Sequence, residues 1–215
     1  MKKISLKGLA GFMTAGHARQ RSILRTFKYP QDEEARAKIT YYREARDRVA
    51  AYHKAVRDAP WLLAEAHYLD GLAALSVGRT ATRLAHNARA LRAYARHFSG
   101  RGFQVLQEVT LQLQYEDVLV SVHPDLHIRE GKQEKIVKLE FVVEEPSDEF
   151  IKIVTQAMFE AAQSARMRLP PSAVLLFDVP RGTAHKGARL GARMRRELEA
   201  ACENISAIWD KIEPT

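Results

Sequence analysis

A chain of 215 residues with 46% hydrophobic and 28% charged side chains has the composition of a folded globular protein, long enough for one domain or two small ones. A single cysteine, Cys202, excludes a disulfide framework and a thiolate zinc cluster, and the simplest reading is a reducing, cytoplasmic setting. No apolar run approaches the roughly 18 residues of a membrane span, and the basic start Met1-Lys2-Lys3 is followed by an apolar stretch too short and too broken for a secretion signal.

The formal charge of +8 is unevenly distributed. Residues 1–100 carry 19 Lys and Arg against 8 Asp and Glu, whereas residues 101–180 carry 8 against 13. Between Arg181 and Arg196 six basic residues occur with no acid. Basic segments flanking an acidic middle suit a polyanion partner, with the acids available for a cation; plain solubility charge is the competing reading.

The first hundred residues read as helices. The span 32–56 places Ala35, Ile39, Tyr42, Val49, Tyr52 and Val56 near a helical period, with Asp32, Glu33 and Glu34 in the first turn and Pro30 before it. A second helix, 60–76, opens at Pro60 and stops near Gly78, with Leu62, Leu63, Ala66, Leu69, Leu72 and Leu75 apolar. A third, 80–98, repeats Ala81, Leu84, Ala88, Leu91, Ala95 and Phe98 at three- and four-residue spacing. His86, Arg89, Arg92 and Arg96 line one flank of it, either as a phosphate-contacting face or as a solvated one. Upstream, Arg21 and Arg25 are interleaved with Phe27 and Tyr29, which suits nucleic acid, although the two aromatics serve equally as core anchors.

From residue 103 the period changes to two. One strand is predicted at 105–115, a second at 117–128 and a third at 135–143, with a polar turn at 130–134. A helix over 148–166 ends at Pro170-Pro171, a buried strand follows at 173–177, and a closing helix is expected from Arg189 to Ile208. Lys186 sits in a basic loop with Arg181, His185 and Arg189 that suits either phosphate or solvent. In the hairpin, a four-residue loop from Gly131 to Glu134 pairs Leu126 with Leu139, Asp125 with Glu140 and His127 with Lys138. Facing carboxylates roughly 5 Å apart call for a cation or a proton between them. The run His123-x-Asp125-x-His127 also suits zinc or manganese. Neither a nucleophile-elbow Gly-x-Ser-x-Gly nor a phosphate-binding Gly-x-x-x-x-Gly-Lys-Ser/Thr sequence occurs.

The order of strand, Pro124-Asp125, turn, strand with a charged pair at i and i+2, helix and buried strand resembles the PD-(D/E)XK nuclease superfamily over residues 118–177. Val122-His123-Pro124-Asp125-Leu126 is similar to its first metal-binding motif. Gln156 in Gln156-Ala157-Met158-Phe159 resembles the helix of the RecB/Cas4-type version, with Phe159 one position early for the usual tyrosine. The second motif departs: the family places an acid before its lysine, and here Lys138 precedes Glu140. The resemblance implies a restriction-endonuclease-like core at 101–215 in which helices flank a mixed central sheet; together with the helical basic region that the spacing predicts at 1–100, the expected fold class is mixed α/β (α+β). It also implies Asp125 and Glu140 as ligands of Mg²⁺ or Mn²⁺, Lys138 and Gln156 as further site residues, and phosphodiester hydrolysis, on DNA rather than RNA. Arg21, Arg25, Arg89, Arg92, Arg96 and Lys186 are then the expected nucleic-acid contacts. Moving each charge of the second motif by about 6.6 Å along its strand leaves a second expectation, a nuclease-like protein that binds nucleic acid or a partner without cutting. A protein partner or a homo-oligomer is compatible with either.

Overall fold

The computed structural model describes residues 1–30, 40–189 and 191–214. The fold is mixed α/β, with two mixed sheets flanked by helices and a helical N-terminal region. A short strand, β1 (Lys2–Ser5), leads directly into α1 (Leu6–Met13), whose first turn is capped by the Ser5 hydroxyl accepting from the Gly8 amide. Helix α2 (His17–Lys28) then folds back on α1. The approach is so close that a Cβ on Gly8 would stand 2.4 Å from the Phe27 ring.

Helices α3 (Arg43–Lys54), α4 (Ala59–Ala74) and α5 (Gly78–Phe98) follow; α4 and α5 lie close to the predicted spans, whereas the predicted helix over 32–56 is interrupted by a turn at Tyr41-Tyr42. The predicted start of the first of these, with Asp32, Glu33, Glu34, Ala35 and Ile39, lies outside the described residues. Val56, expected on its apolar side, lies beyond the helix end at positive φ and is exposed. Buried Asn87 ties α5 to α3: its Oδ1 accepts from the Ala45 amide, and its Nδ2 donates to the Tyr41 and Arg83 carbonyls.

The long alternating stretches do not form continuous strands. Residues 105–115 split into β2 (Phe103–Val105) and β3 (Leu111–Tyr115), and residues 117–128 into β4 (Val118–Val122) and β5 (Leu126–Glu130). The second break falls at His123-Pro124-Asp125, where proline has no amide to donate to a ladder. In each case the two pieces belong to different sheets. One sheet has the order β1-β4-β3; the other runs β2-β5-β6-β7-β8, completed by β6 (Gln133–Glu140), β7 (Val174–Asp178) and β8 (Thr183–Lys186). Helix α6 (Asp148–Ser164) connects β6 to β7, which run parallel, and α7 (Gly191–Trp209) closes the chain.

Two apolar cores result. Leu126, Ile128, Val137, Leu139, Leu175 and Phe177 face α3–α5, where Phe98 stacks on Phe177 with ring centroids 4.4 Å apart. Ile136, Val174 and Leu176 face the other way, onto a core shared by β1, α1, α2, α6, α7 and the smaller sheet. Thus Lys2–Lys28 pack with the C-terminal half of the chain, although they precede α3–α5 in sequence. Both faces of β6 and β7 are covered, which explains the continuous apolar run of β7. Among the described residues no helix is long and apolar enough to cross a membrane.

Candidate functional site

The hairpin register differs from the expected one. Gly131 adopts φ +61°, which a two-residue hairpin turn demands, so the turn closes on Gly131-Lys132 and β6 starts at Gln133. Leu126 therefore pairs with Val137 and Ile128 with Lys135, a slip of two residues from the predicted pairing. Because side chains alternate with period two, every residue keeps its predicted face but changes its partner. Asp125, at the mouth of the hairpin, now faces Lys138 where Glu140 was expected.

This one slip determines the electrostatics. Asp125 Oδ1 lies 3.1 Å from Lys138 Nζ and 3.8 Å from Arg46 Nε, and its Oδ2 accepts from the Leu139 amide at 2.7 Å. Lys138 Nζ also donates to the His123 carbonyl at 2.8 Å. Burial pushes the Lys138 ammonium below the ordinary lysine pKa; Asp125 opposes that shift, and the nearby Lys7 and Arg46 charges add to it. Glu140 is buried with its own partners: Oε2 lies 3.0 Å from Lys7 Nζ, and Oε1 accepts from the Phe141 and Val142 amides. Asp178 stands beside Glu140 in the parallel register and is held by Arg181 at 3.1 Å. Tyr42 packs on Phe141, and its hydroxyl pKa is raised by burial and then by the charges of Tyr41 and Glu140.

The cluster thus lies at the C-terminal ends of parallel β6 and β7, where open α/β sheets commonly bind ligands. Lys7, Arg46, Asp178 and Arg181 belong to it and were not anticipated. Lys7 interrupts the apolar α1 and Asp178 ends an apolar strand, which are faint local signals. Arg46 has no signal at all, since its partner lies far away in the chain. As the side chains stand, the donors do not fit a shared Mg²⁺ or Mn²⁺. A cation between Asp125 and Glu140 would have to displace Lys138 from one carboxylate and Lys7 from the other. Among the described residues no group of three or more His, Cys, Asp or Glu side chains is placed to hold a metal ion. His127 is turned away from Asp125, with Nδ1 on the Gln107 carbonyl and Nε2 on Glu134. Gln156 is buried in α6 and donates to Glu160, which Arg195 also holds; no hydrogen bond links it to Asp125 or Glu140.

The expected nucleic-acid contacts fall into three places. Arg89, Arg92 and Arg96 are exposed along α5; Arg92 pairs with Asp70, while Arg89 and Arg96 have no ion-pair partner among the described residues. Arg21 and Arg25 donate to the carbonyls of Lys211 and Glu213, beyond the end of α7, and Lys28 donates to those of Trp209, Asp210 and Ile212. Phe27 and Tyr29 pack against the core there, so they are anchors. Lys186 is exposed at the end of edge strand β8. Comparison with protein-family models, with curated proteins and with solved structures finds no match.

Proposed function

We propose that this chain binds nucleic acid, DNA foremost, on a nuclease-like core whose Asp125–Lys138–Glu140 cluster is an ion-pair lock and does not hydrolyse the strand. The observation that carries this reading is how the cations are used. Lys138 and Lys7 close the two buried carboxylates from within, whereas Arg89 and Arg96 stand exposed on α5 with no ion-pair partner among the described residues. Arginines on one helix face can neutralise phosphates along a backbone, a contact that gives affinity without sequence choice. The order of hairpin, crossover helix and parallel return strand supports the nuclease-like part of the reading.

The test is binding and cleavage measured together on labelled single- and double-stranded DNA and RNA, with Mg²⁺, Mn²⁺ or EDTA. Salt-sensitive binding with no metal-dependent cutting is expected. Metal-dependent cutting that is lost in both Asp125→Ala and Glu140→Ala overturns the non-hydrolytic part. Absence of salt-sensitive binding to any of the four substrates overturns the nucleic-acid part.

A further inference from the structure

A cleft of about 830 Å³ opens between the N-terminal ends of α3 and α5. That volume lies within the range of small-ligand sites. Arg43 from α3 and Arg79 and Arg83 from α5 line it, and Glu44 is the single acid among the described lining residues. Arg79 and Arg83 stand one helical turn apart, where like charges repel. Glu44 compensates Arg83 alone, in an ion pair that ties α3 to α5. Arg43 reaches only Asp47, at 3.6 Å with both side chains largely exposed, and Arg79 has no ion-pair partner among the described residues. Three arginines against one glutamate leave the lining a net positive charge that nothing described offsets. The backbone adds to it. Helix α5 opens at Gly78 with φ +59°, a conformation that suits glycine, and no side chain caps its first turn. A Cβ on Gly78 would meet nothing within 4 Å, so the approach to the first amides is open. Those amides have no acceptor within the helix and form the positive end of its dipole.

We propose that this cleft binds a phosphate monoester, presented by a phosphorylated strand end or by a free nucleotide. The strand-end source rests on the nucleic-acid reading above; the monoester chemistry rests on the cleft alone. The distribution of cations on α5 separates the two kinds of phosphate. A monoester carries close to two negative charges at neutral pH, whereas each diester of a strand backbone carries one. The cleft gathers arginines from two helices around one opening, which matches a dianion. Farther along α5, Arg89 and Arg96 stand singly, seven residues or about 10.5 Å apart along the axis, which matches a row of single charges. Each guanidinium presents paired N–H donors that fit two phosphate oxygens, and the open helix end supplies further donors. Glu44 is a positioning residue: it holds the Arg83 guanidinium between α3 and α5. The Thr82 hydroxyl donates to the Gly78 carbonyl at 3.2 Å and steadies the first turn. Thr80 is exposed on the same wall, where its hydroxyl is a further donor.

The full chain is titrated by calorimetry with adenosine 5′-monophosphate and with adenosine. In parallel, fluorescence anisotropy follows one single-stranded DNA bearing a 5′-phosphate, a 3′-phosphate or neither. The monophosphate is expected to bind and adenosine not to, and a phosphate at one strand end is expected to tighten binding about 10-fold. Thr80→Glu sets a carboxylate in the first turn of α5, where it favours the helix dipole but repels phosphate. This variant is expected to keep the circular dichroism spectrum and to abolish both effects. The double variant Arg43→Ala/Arg79→Ala, which removes two exposed cations, is expected to do the same. Arg89→Ala/Arg96→Ala is expected to weaken all three strands alike and to keep the end preference. No monophosphate binding together with no end preference overturns the proposal, and strand binding in that case leaves the nucleic-acid reading standing. Monophosphate binding that both cleft variants abolish, with no strand binding, supports the cleft and overturns the strand-end source. An end preference untouched by both cleft variants places the phosphate elsewhere and overturns the proposal.

Discussion

Lys138 stands directly across the β5–β6 hairpin from Asp125, its ammonium 3.1 Å from the carboxylate, with only 12% and 8% of the two side chains exposed. A pair so placed contributes little net stability when intact but is costly to break, because the remaining charge has no water to return to. Asp125→Leu is therefore expected to lower unfolding stability by about 3–5 kcal/mol. Adding Lys138→Met to Asp125→Leu is expected to recover much of that loss, since no buried charge then lacks a partner. Urea denaturation of the two single variants and the double variant checks this, and strict additivity would show that the two residues do not act as a pair.

His53 sets an acid limit on the helical layer. Its ring is 6% exposed, its Nε2 lies 2.6 Å from the Tyr94 hydroxyl, and burial pushes its pKa down from 6.5 to about 4. The folded state therefore binds fewer protons than the unfolded state between those values. The associated stability is fully present above pH about 6.5 and is lost as the pH falls toward about 4, an order of 3 kcal/mol. Urea unfolding at neutral pH and at several acidic points is expected to show this slope, and His53→Gln to flatten it.

Under the nucleic-acid reading, Arg89 and Arg96 contribute phosphate contacts and no sequence choice. Each removal is expected to weaken binding of all sequences alike and to reduce the salt slope by about 0.9. Fluorescence anisotropy of Arg89→Ala, Arg96→Ala and the double variant over a potassium chloride series measures this directly. An unchanged slope in the double variant would assign the two arginines to solvent.

Gly8 carries the close approach of α1 to α2. Alanine there would put its Cβ 2.4 Å from a Phe27 ring carbon and 2.9 Å from an Ile4 side-chain carbon. The ring must then leave its place against the core, a loss of about 1–3 kcal/mol. Thermal unfolding of Gly8→Ala is expected to show the drop, and Gly11→Ala on the same helix, whose Cβ would stand at an ordinary 3.6 Å from the Ile23 side chain, serves as the matched control.

The parts of the structure that were legible in the sequence depend on short-range periodicity. The spacing of Leu84, Ala88, Leu91 and Phe98 carried α5, and the apolar run of β7 carried its burial on both faces. Parity was legible too: Asp125, Lys138 and Glu140 were placed on one sheet face from alternation alone, and the slip of two residues preserves that face. The first strand break carries only a faint signal: alternation holds from Val109 to Tyr115 but is interrupted at Leu106-Gln107-Glu108, where the chain passes from one sheet to the other. At the second break Pro124 was the available signal, and its missing amide is the physical reason that the ladder stops there.

By itself, then, the sequence determined helices α3 to α7 in outline, the faces of the strands, and three of the charges that gather at the sheet end, Asp125, Lys138 and Glu140. Each follows from neighbours within a few residues along the chain. The tertiary structure decided which charges meet. A glycine turn at φ +61° set the register that gives Asp125 to Lys138, and the packing of α1 against α6 and β4 brought Lys7 to Glu140 from more than a hundred residues away. A pairing of that kind depends on a single backbone angle and on the packing of distant elements, and no local pattern of side chains encodes either.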